Sequence, residues 1–191
     1  MRRLILLALA LTLWIPSATD ARTTFGIKAG EYNVLRLGPF KTKWSRSYEP
    51  NIGAAIRAFG PPSNSFASQG TCVVKWRRHG LRIVFANFGG DTRGICHPDV
   101  GLAQSFTATE KRRWTTHQGL RIGMLEADVS YRHQWAEWHS GSRFYDPGYW
   151  LVSAFSPFGE GAEYPVLAAH LRHVDYGKVW KFSGWIGSAG E

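Results

Sequence analysis

The strongest constraint on the fold is a unit of two alternating apolar runs bounded by the chain's two cysteines. The runs span residues 72–78 and 81–88, and His79-Gly80 stands between them. Alternation with a period of two on both sides of a short glycine-containing turn is typical of a β-hairpin. The alternation predicts one buried face, and the flanking cysteines predict a covalently closed unit.

Cys72 and Cys96 are the only cysteines of the chain. In an oxidising compartment two such thiols pair by default, so we predict a Cys72–Cys96 disulfide. A metal site that includes His97, or a catalytic thiol, is the alternative. Two thiols with one neighbouring imidazole form an incomplete zinc ligand set, which disfavours the metal.

The first 21 residues have the pattern of a cleavable secretion signal. Arg2 and Arg3 precede an apolar run at 4–15, and Thr19-Asp20-Ala21 places small residues at positions −3 and −1 of a cleavage site. The apolar run is shorter than the roughly 20 residues that a membrane-spanning helix needs. We therefore expect a secreted, extracellular protein with no membrane span after signal cleavage.

The rest of the chain repeats one order of segments. The phrases LRLG at 35–38 and LRIG at 120–123 each precede a helical pattern and three strand-like runs. This order predicts two tandem α-βββ repeats. The predicted fold class is α+β, an antiparallel sheet with the helices on one face. The predicted segments are a signal peptide at 1–21, an N-terminal arm at 22–33, the first repeat at 34–109, the second repeat at 110–187 and a C-terminal tail at 188–191.

The two predicted helices have different supporting patterns. Residues 51–59 combine apolar residues at helical spacing with an asparagine cap and a terminating Gly60 followed by two prolines. Residues 125–135 form the second helical pattern, and we expect Tyr131 and Trp135 on one face of it. Beyond the hairpin, strands are predicted at 102–109, 149–156, 165–174 and 178–186.

The tandem organisation resembles the fold of the secreted beta-lactamase inhibitory proteins, with envelope-assembly lipoproteins as a more distant likeness. The phrases at 119–123 and 177–180 also resemble those of secreted bacterial proteins. The resemblance implies an inhibitor-like binding function. Two features depart from it, since residues 120–191 contain no cysteine and each half shows one helix rather than a pair. No residue of the inhibitor's binding surface can be matched here, so none is transferred.

Basic side chains recur on and beside the face of the sheet that the hairpin pattern leaves to solvent. The net charge is +9, and cleavage after Ala21 would lower it to +8. The basic residues are scattered without a long run, so nucleic acid is not the expected partner. Arginine is among the residues that dominate protein interfaces. The candidate binding residues are Lys75, Arg77, Arg82, His170 and Arg172.

Catalytic and metal patterns are incomplete. His133 and Glu137 share a helical face, but His139 does not, and the spacing differs from that of zinc-binding helices. Ser140 and Ser142 with His139 and Asp146 have the residue types of a triad without its turn context. Neither a phosphate-binding loop nor a dinucleotide fingerprint occurs. We therefore predict no catalytic residues, no metal and no cofactor.

The predicted function is that of a secreted, monomeric, non-catalytic binding module. Its expected partner is a protein or an anionic component of a cell envelope. The alternative is a secreted hydrolase that acts on envelope polymer. A deep pocket with convergent histidine and carboxylate groups would favour the hydrolase, and a shallow sheet face would favour binding.

Overall fold

The computed structural model describes residues 23–30, 33–87, 93–143, 146–155, 164–172 and 177–186. The predicted signal peptide and C-terminal tail lie outside these residues. The helices are α1 (Ile52–Phe59) and α2 (Glu126–Arg132). The strands are β1 (Phe25–Ala29), β2 (Val34–Leu37), β3 (Phe40–Lys41), β4 (Asn64–Ser68), β5 (Thr71–Trp76), β6 (Leu81–Ala86), β7 (Leu102–Ala108), β8 (Trp114–Thr116), β9 (Glu137–Arg143), β10 (Asp146–Phe155), β11 (Tyr164–Arg172) and β12 (Lys178–Trp185).

The strands form two sheets. The smaller sheet has the order β3-β2-β1-β8, in which β1 and β8 run parallel. The larger sheet has the order β4-β5-β6-β7-β12-β11-β10-β9, and all its pairings are antiparallel. One buried hydrophobic cluster contains residues of both sheets and of α1. The arrangement is that of a β-sandwich.

The predicted α+β class, a single sheet with helices on one face, is wrong. The described chain is mainly β, and a second sheet of four strands takes part in the shared core. Ile27, Val34 and Leu37 of this smaller sheet are completely buried. The sequence pattern missed it because β1 lies in the segment predicted as a loose arm. Its parallel partner β8 lies more than 80 residues further along the chain.

The first helix is confirmed and the second differs from its prediction. The Asn51 side chain accepts a hydrogen bond from the Ala54 N–H at 2.9 Å, and Gly60 closes α1 through its N–H to the Ile56 carbonyl. In contrast, α2 ends at Arg132 and buries only Val129. Trp135 is 91 % exposed and Tyr131 is 80 % exposed. Neither side chain therefore packs in the core.

The hairpin between the cysteines is confirmed, with a different turn. Strands β5 and β6 pair antiparallel, but β5 ends at Trp76 and Arg77–His79 form a short 3₁₀ turn. Gly80 then adopts a φ of +57°, where a Cβ atom would lie 2.5 Å from the Glu110 nitrogen. The predicted Cys72–Cys96 disulfide is also confirmed. Residues 63–70, between α1 and the hairpin, contain the edge strand β4, which was not among the predicted strands.

The larger sheet is symmetric in its strand order. Four of its strands follow α1 and four follow α2, and the last strand of each set, β7 and β12, pair at the centre. Gly184 lies at this junction, where a Cβ atom would meet the Val166 carbonyl and approach the Phe106 ring to 2.7 Å. The tandem repeats stay a prediction, with four strands of the larger sheet after each helix in place of three.

Candidate functional site

A cleft of about 420 Å³ lies where β7 and β11 end and β12 begins. It is built from residues that four separate chain segments bring together. The lining residues are Thr109, Lys111, Arg112, Arg121, Ile122, Gly123, Met124, Arg172, Lys178, Val179 and Trp180. Five of these side chains carry a positive charge at neutral pH.

The basic side chains come from different elements. Lys111 and Arg112 lie in the corner between β7 and β8, and Arg121 lies in the segment that joins β8 to α2. Arg172 ends β11, while Lys178 begins β12. Convergence of these segments makes the cleft a product of the fold rather than of one basic run in the sequence.

The segment at 121–124 is fixed against the start of β12. The Gly123 N–H donates to the Val179 carbonyl at 2.7 Å, and the Val179 N–H donates to the Met124 carbonyl at 2.9 Å. Gly123 has a φ of +99°, a conformation that favours glycine. Two backbone hydrogen bonds therefore hold one wall of the cleft in place.

A buried contact between Thr116 and His133 lies next to the segment that forms this wall. The Thr116 hydroxyl accepts a hydrogen bond from the Leu120 N–H at 3.1 Å and lies 2.9 Å from Nε2 of His133. His133 is only 4 % exposed. Burial, together with the nearby positive charges of His117 and Arg132, lowers the pKa of His133 to about 4.

We expect His133 to make the protein acid-sensitive. Its pKa in the folded state lies below the ordinary value of 6.5, so the unfolded chain binds the proton more tightly. The stabilisation is complete above pH 6.5 and is lost as the pH falls towards 4, by about 3 kcal/mol. Urea unfolding at neutral pH and at about pH 4 should show a smaller pH dependence for His133→Gln than for the wild type.

The matched control is His117→Gln. His117 is exposed, and its ring centroid lies 6.0 Å from that of His133. Because burial is the larger cause of the lowered pKa, this variant should keep most of the pH dependence. An identical pH dependence in wild type and His133→Gln would contradict the assignment.

Positive charge is concentrated in the cleft. Arg172 and Lys178 are direct cross-strand partners on adjacent strands. Among the described residues that line the cleft, none is an aspartate or a glutamate. The Lys181 ammonium adds a further positive charge at the rim, 4.7 Å from the centroid of the Trp180 ring. The described lining therefore suits an anionic ligand.

The structure separates the predicted binding residues. Lys75 and Arg82 are cross-strand partners on the face of the larger sheet opposite to the core side chains Val74 and Ile83. Arg77 lies outside the strands, in the 3₁₀ turn. The candidates thus do not form one patch, because β6 and β11 are three strand spacings apart, about 14 Å.

His170 belongs to a row of aromatic rings on the same outer face. Its ring lies 5.3 Å from that of Tyr149, which stacks on His139 at 5.3 Å. Nε2 of His170 lies 2.7 Å from the Ser183 hydroxyl. Among the five predicted residues, Arg172 alone lines the cleft.

Sequence reasoning missed four of the five cations of the cleft. Lys111 and Arg112 belong to the densest basic run of the chain, at 111–113, which was not among the predicted binding residues. Arg121 and Lys178 lie in the LRIG and GKVW phrases, which had indicated a repeat and a resemblance. These basic residues are visible in the sequence. The approach of their three segments in space, however, depends on strand pairings between distant parts of the chain, such as β8–β1 and β12–β7.

The residues considered in the sequence analysis for a metal site or a catalytic triad lie apart in the structure. His133 is buried on Thr116, Glu137 is exposed on the edge strand β9, and His139 stacks on Tyr149. In the described part of the chain, no three histidine, cysteine, aspartate or glutamate side chains are grouped so that they could hold a metal ion. The side chains of Ser142 and Asp146 lie outside what the structure describes.

No protein-family model, curated protein or solved structure matches the chain. The resemblance to the beta-lactamase inhibitory proteins therefore stays a prediction from the sequence pattern. Neither α1 nor α2, the helices of the described residues, has the length and apolar character needed to cross a membrane. Fold and site together define a disulfide-bonded, β-sandwich-like protein with a basic cleft.

Proposed function

We propose that the protein is a secreted, non-catalytic binding module that recognises an anionic partner through the cleft. The observation that carries the proposal is the convergence of Lys111, Arg112, Arg121, Arg172 and Lys178 around one concave site. Lysine and arginine remain charged at neutral pH and suit the binding of anions rather than proton transfer. The predicted signal peptide and the Cys72–Cys96 disulfide support an extracellular setting.

The cations are also placed to act on a ligand. In the described residues, Lys111, Arg112, Arg121 and Lys178 make no ion pair with a carboxylate, so no carboxylate of that part of the chain neutralises their charges. Clefts lined by one sign of charge concentrate ligands of the opposite sign and speed their association. An anionic partner from a cell envelope would therefore be attracted towards the cleft by its positive electrostatic potential.

The test is binding to two immobilised polyanions, poly-L-glutamate and dextran sulfate. The double variant Arg121→Glu/Lys178→Glu should bind at least about ten-fold more weakly than the wild type, because attraction at two positions becomes repulsion. Lys75→Glu/Arg82→Glu is the matched control, since it changes the net charge equally at the outer face. It should retain most of the binding.

The comparison also separates the two basic surfaces. Loss of binding in the Lys75/Arg82 control, with unchanged binding in the Arg121/Lys178 variant, would contradict the assignment of anion binding to the cleft. It would assign binding to the outer face of the larger sheet instead. Circular dichroism of each variant establishes that the protein is folded.

A further inference from the structure

We infer that the anion bound by the cleft is a phosphate monoester carried on a compact body with an apolar side. This inference rests on the proposed function and names the ligand class for the same site. Three features of the cleft support it, namely the number of its charges, the identity of the basic side chains and the apolar part of its wall.

The number of charges favours a ligand with more than one negative charge. Five cations line the site, and four of them, Lys111, Arg112, Arg121 and Lys178, make no ion pair with a carboxylate among the described residues. A single negative charge would match only one of these four cations. A phosphate monoester carries about −1.5 to −2 charges at pH 7 and offers three strong acceptor oxygens.

The side-chain types favour phosphate over carboxylate. Arg112, Arg121 and Arg172 present planar groups of N–H donors that bind phosphate or carboxylate oxygens in pairs. They approach from three separate segments: the β7–β8 corner, the β8–α2 segment and the end of β11. A tetrahedral phosphate can accept donors from several directions at once, whereas a planar carboxylate has two oxygens in one plane.

The remaining wall is apolar. Ile122 is buried, Met124 and Val179 lie beside it, and the Trp180 ring is 38 % exposed at the rim. The volume of about 420 Å³ falls in the range of small-molecule pockets and exceeds the space that a bare phosphate fills. Trp180 therefore faces the organic part of the ligand.

The first experiment compares phenyl phosphate with phenyl sulfate by isothermal titration calorimetry near neutral pH. The two probes have nearly the same shape, but the sulfate ester carries one negative charge. We expect phenyl phosphate to bind about ten-fold more tightly or better, and to lose this advantage at about pH 5, where its second charge is lost. Equal affinities near neutral pH would overturn the inference.

The second experiment locates the site with variants. Arg121→Gln and Arg172→Gln should each lower the affinity for phenyl phosphate by about ten-fold. Arg82→Gln, on the outer face, should leave the affinity unchanged. Trp180→Ala should bring phenyl phosphate down to the affinity of methyl phosphate, which lacks the ring and should not respond to this substitution. Loss of affinity in Arg82→Gln equal to that in Arg172→Gln would overturn the assignment.

Lipid and soluble sources of the phosphate monoester are distinguished with phosphatidylcholine vesicles that contain phosphatidic acid. Sedimentation of the wild type, but not of Arg172→Gln, with these vesicles supports the inference and assigns a lipid headgroup. Binding of phenyl phosphate without sedimentation supports it and assigns a soluble ligand. Cleft-dependent binding of poly-L-glutamate without preference for phenyl phosphate would overturn this inference and leave the proposed function standing.

Discussion

Replacement of Trp114 by alanine should lower the free energy of unfolding by about 3–5 kcal/mol, the range measured for large aromatic side chains in protein cores. Trp114 is completely buried, and its ring centroid lies 5.0 Å from that of Phe25 and 6.3 Å from that of Phe59. Its indole N–H donates to the His79 carbonyl at 2.7 Å. Alanine would leave a cavity and an unsatisfied buried carbonyl.

This residue also connects distant parts of the chain. Trp114 belongs to β8, whereas its contacts lie on β1, α1 and the turn of the cysteine-bounded hairpin. Its loss should therefore destabilise both sheets together, and far-ultraviolet dichroism and tryptophan fluorescence should report one coincident urea transition.

Trp135→Ala is the matched control. The substitution removes the same side chain, but Trp135 is 91 % exposed in the turn after α2. Its effect on the free energy of unfolding should stay within about 0.5 kcal/mol, as is usual for surface positions. Equal destabilisation by the two variants would contradict the assignment of Trp114 to the shared core.

The sequence predicted elements whose signals are local. The cysteine-bounded hairpin, the cap and stop of α1 and the last three strands each depend on residues within one short window. Strand β7, for example, is predicted at 102–109 and found at Leu102–Ala108. The disulfide also followed from local position, because its cysteines flank one hairpin.

The sequence did not predict elements that depend on tertiary contacts. Strand β8 has three residues, and its pairing with β1 is parallel and distant in sequence. In the segment after α2, Trp135 and Trp138 are three residues apart, which is close to helical spacing. His133 nevertheless contacts Thr116, and the chain continues into β9. The aromatic residues at helical spacing thus predicted a helix that continues to residue 135, whereas α2 ends at Arg132.

For the candidate site, the sequence predicted basic binding residues but not the position of the cleft. The sequence analysis predicted a basic binding surface on the open face of the sheet, and of its five residues Arg172 lines the cleft. Among the other cations, Arg121 and Lys178 lie on segments that are joined by the backbone hydrogen bonds of Gly123 and Met124 with Val179. No spacing along the sequence encodes that approach, since the two segments are more than 50 residues apart.

Removal of the disulfide by the double substitution Cys72→Ala/Cys96→Ala should lower the free energy of unfolding by roughly 3.5 kcal/mol. The two cysteines are 24 residues apart, and a closed loop of that length restricts the unfolded chain by about this amount in the chain-entropy model. Cys72 is completely buried in β5, so loss of its sulfur also removes packing in the core.

The bond also fixes a segment that covers the start of α1. The Pro98 carbonyl accepts a hydrogen bond from the Gly53 N–H at 2.7 Å, and Val100 is 2 % exposed. Reduction of the wild type with dithiothreitol should therefore shift the urea midpoint nearly as far as the double substitution does. The same reductant should leave the midpoint of the double variant unchanged, because the chain has no other cysteine. An unchanged midpoint of the reduced wild type would show that hydrogen bonds and packing, rather than the bond between Cys72 and Cys96, hold this segment on the helix.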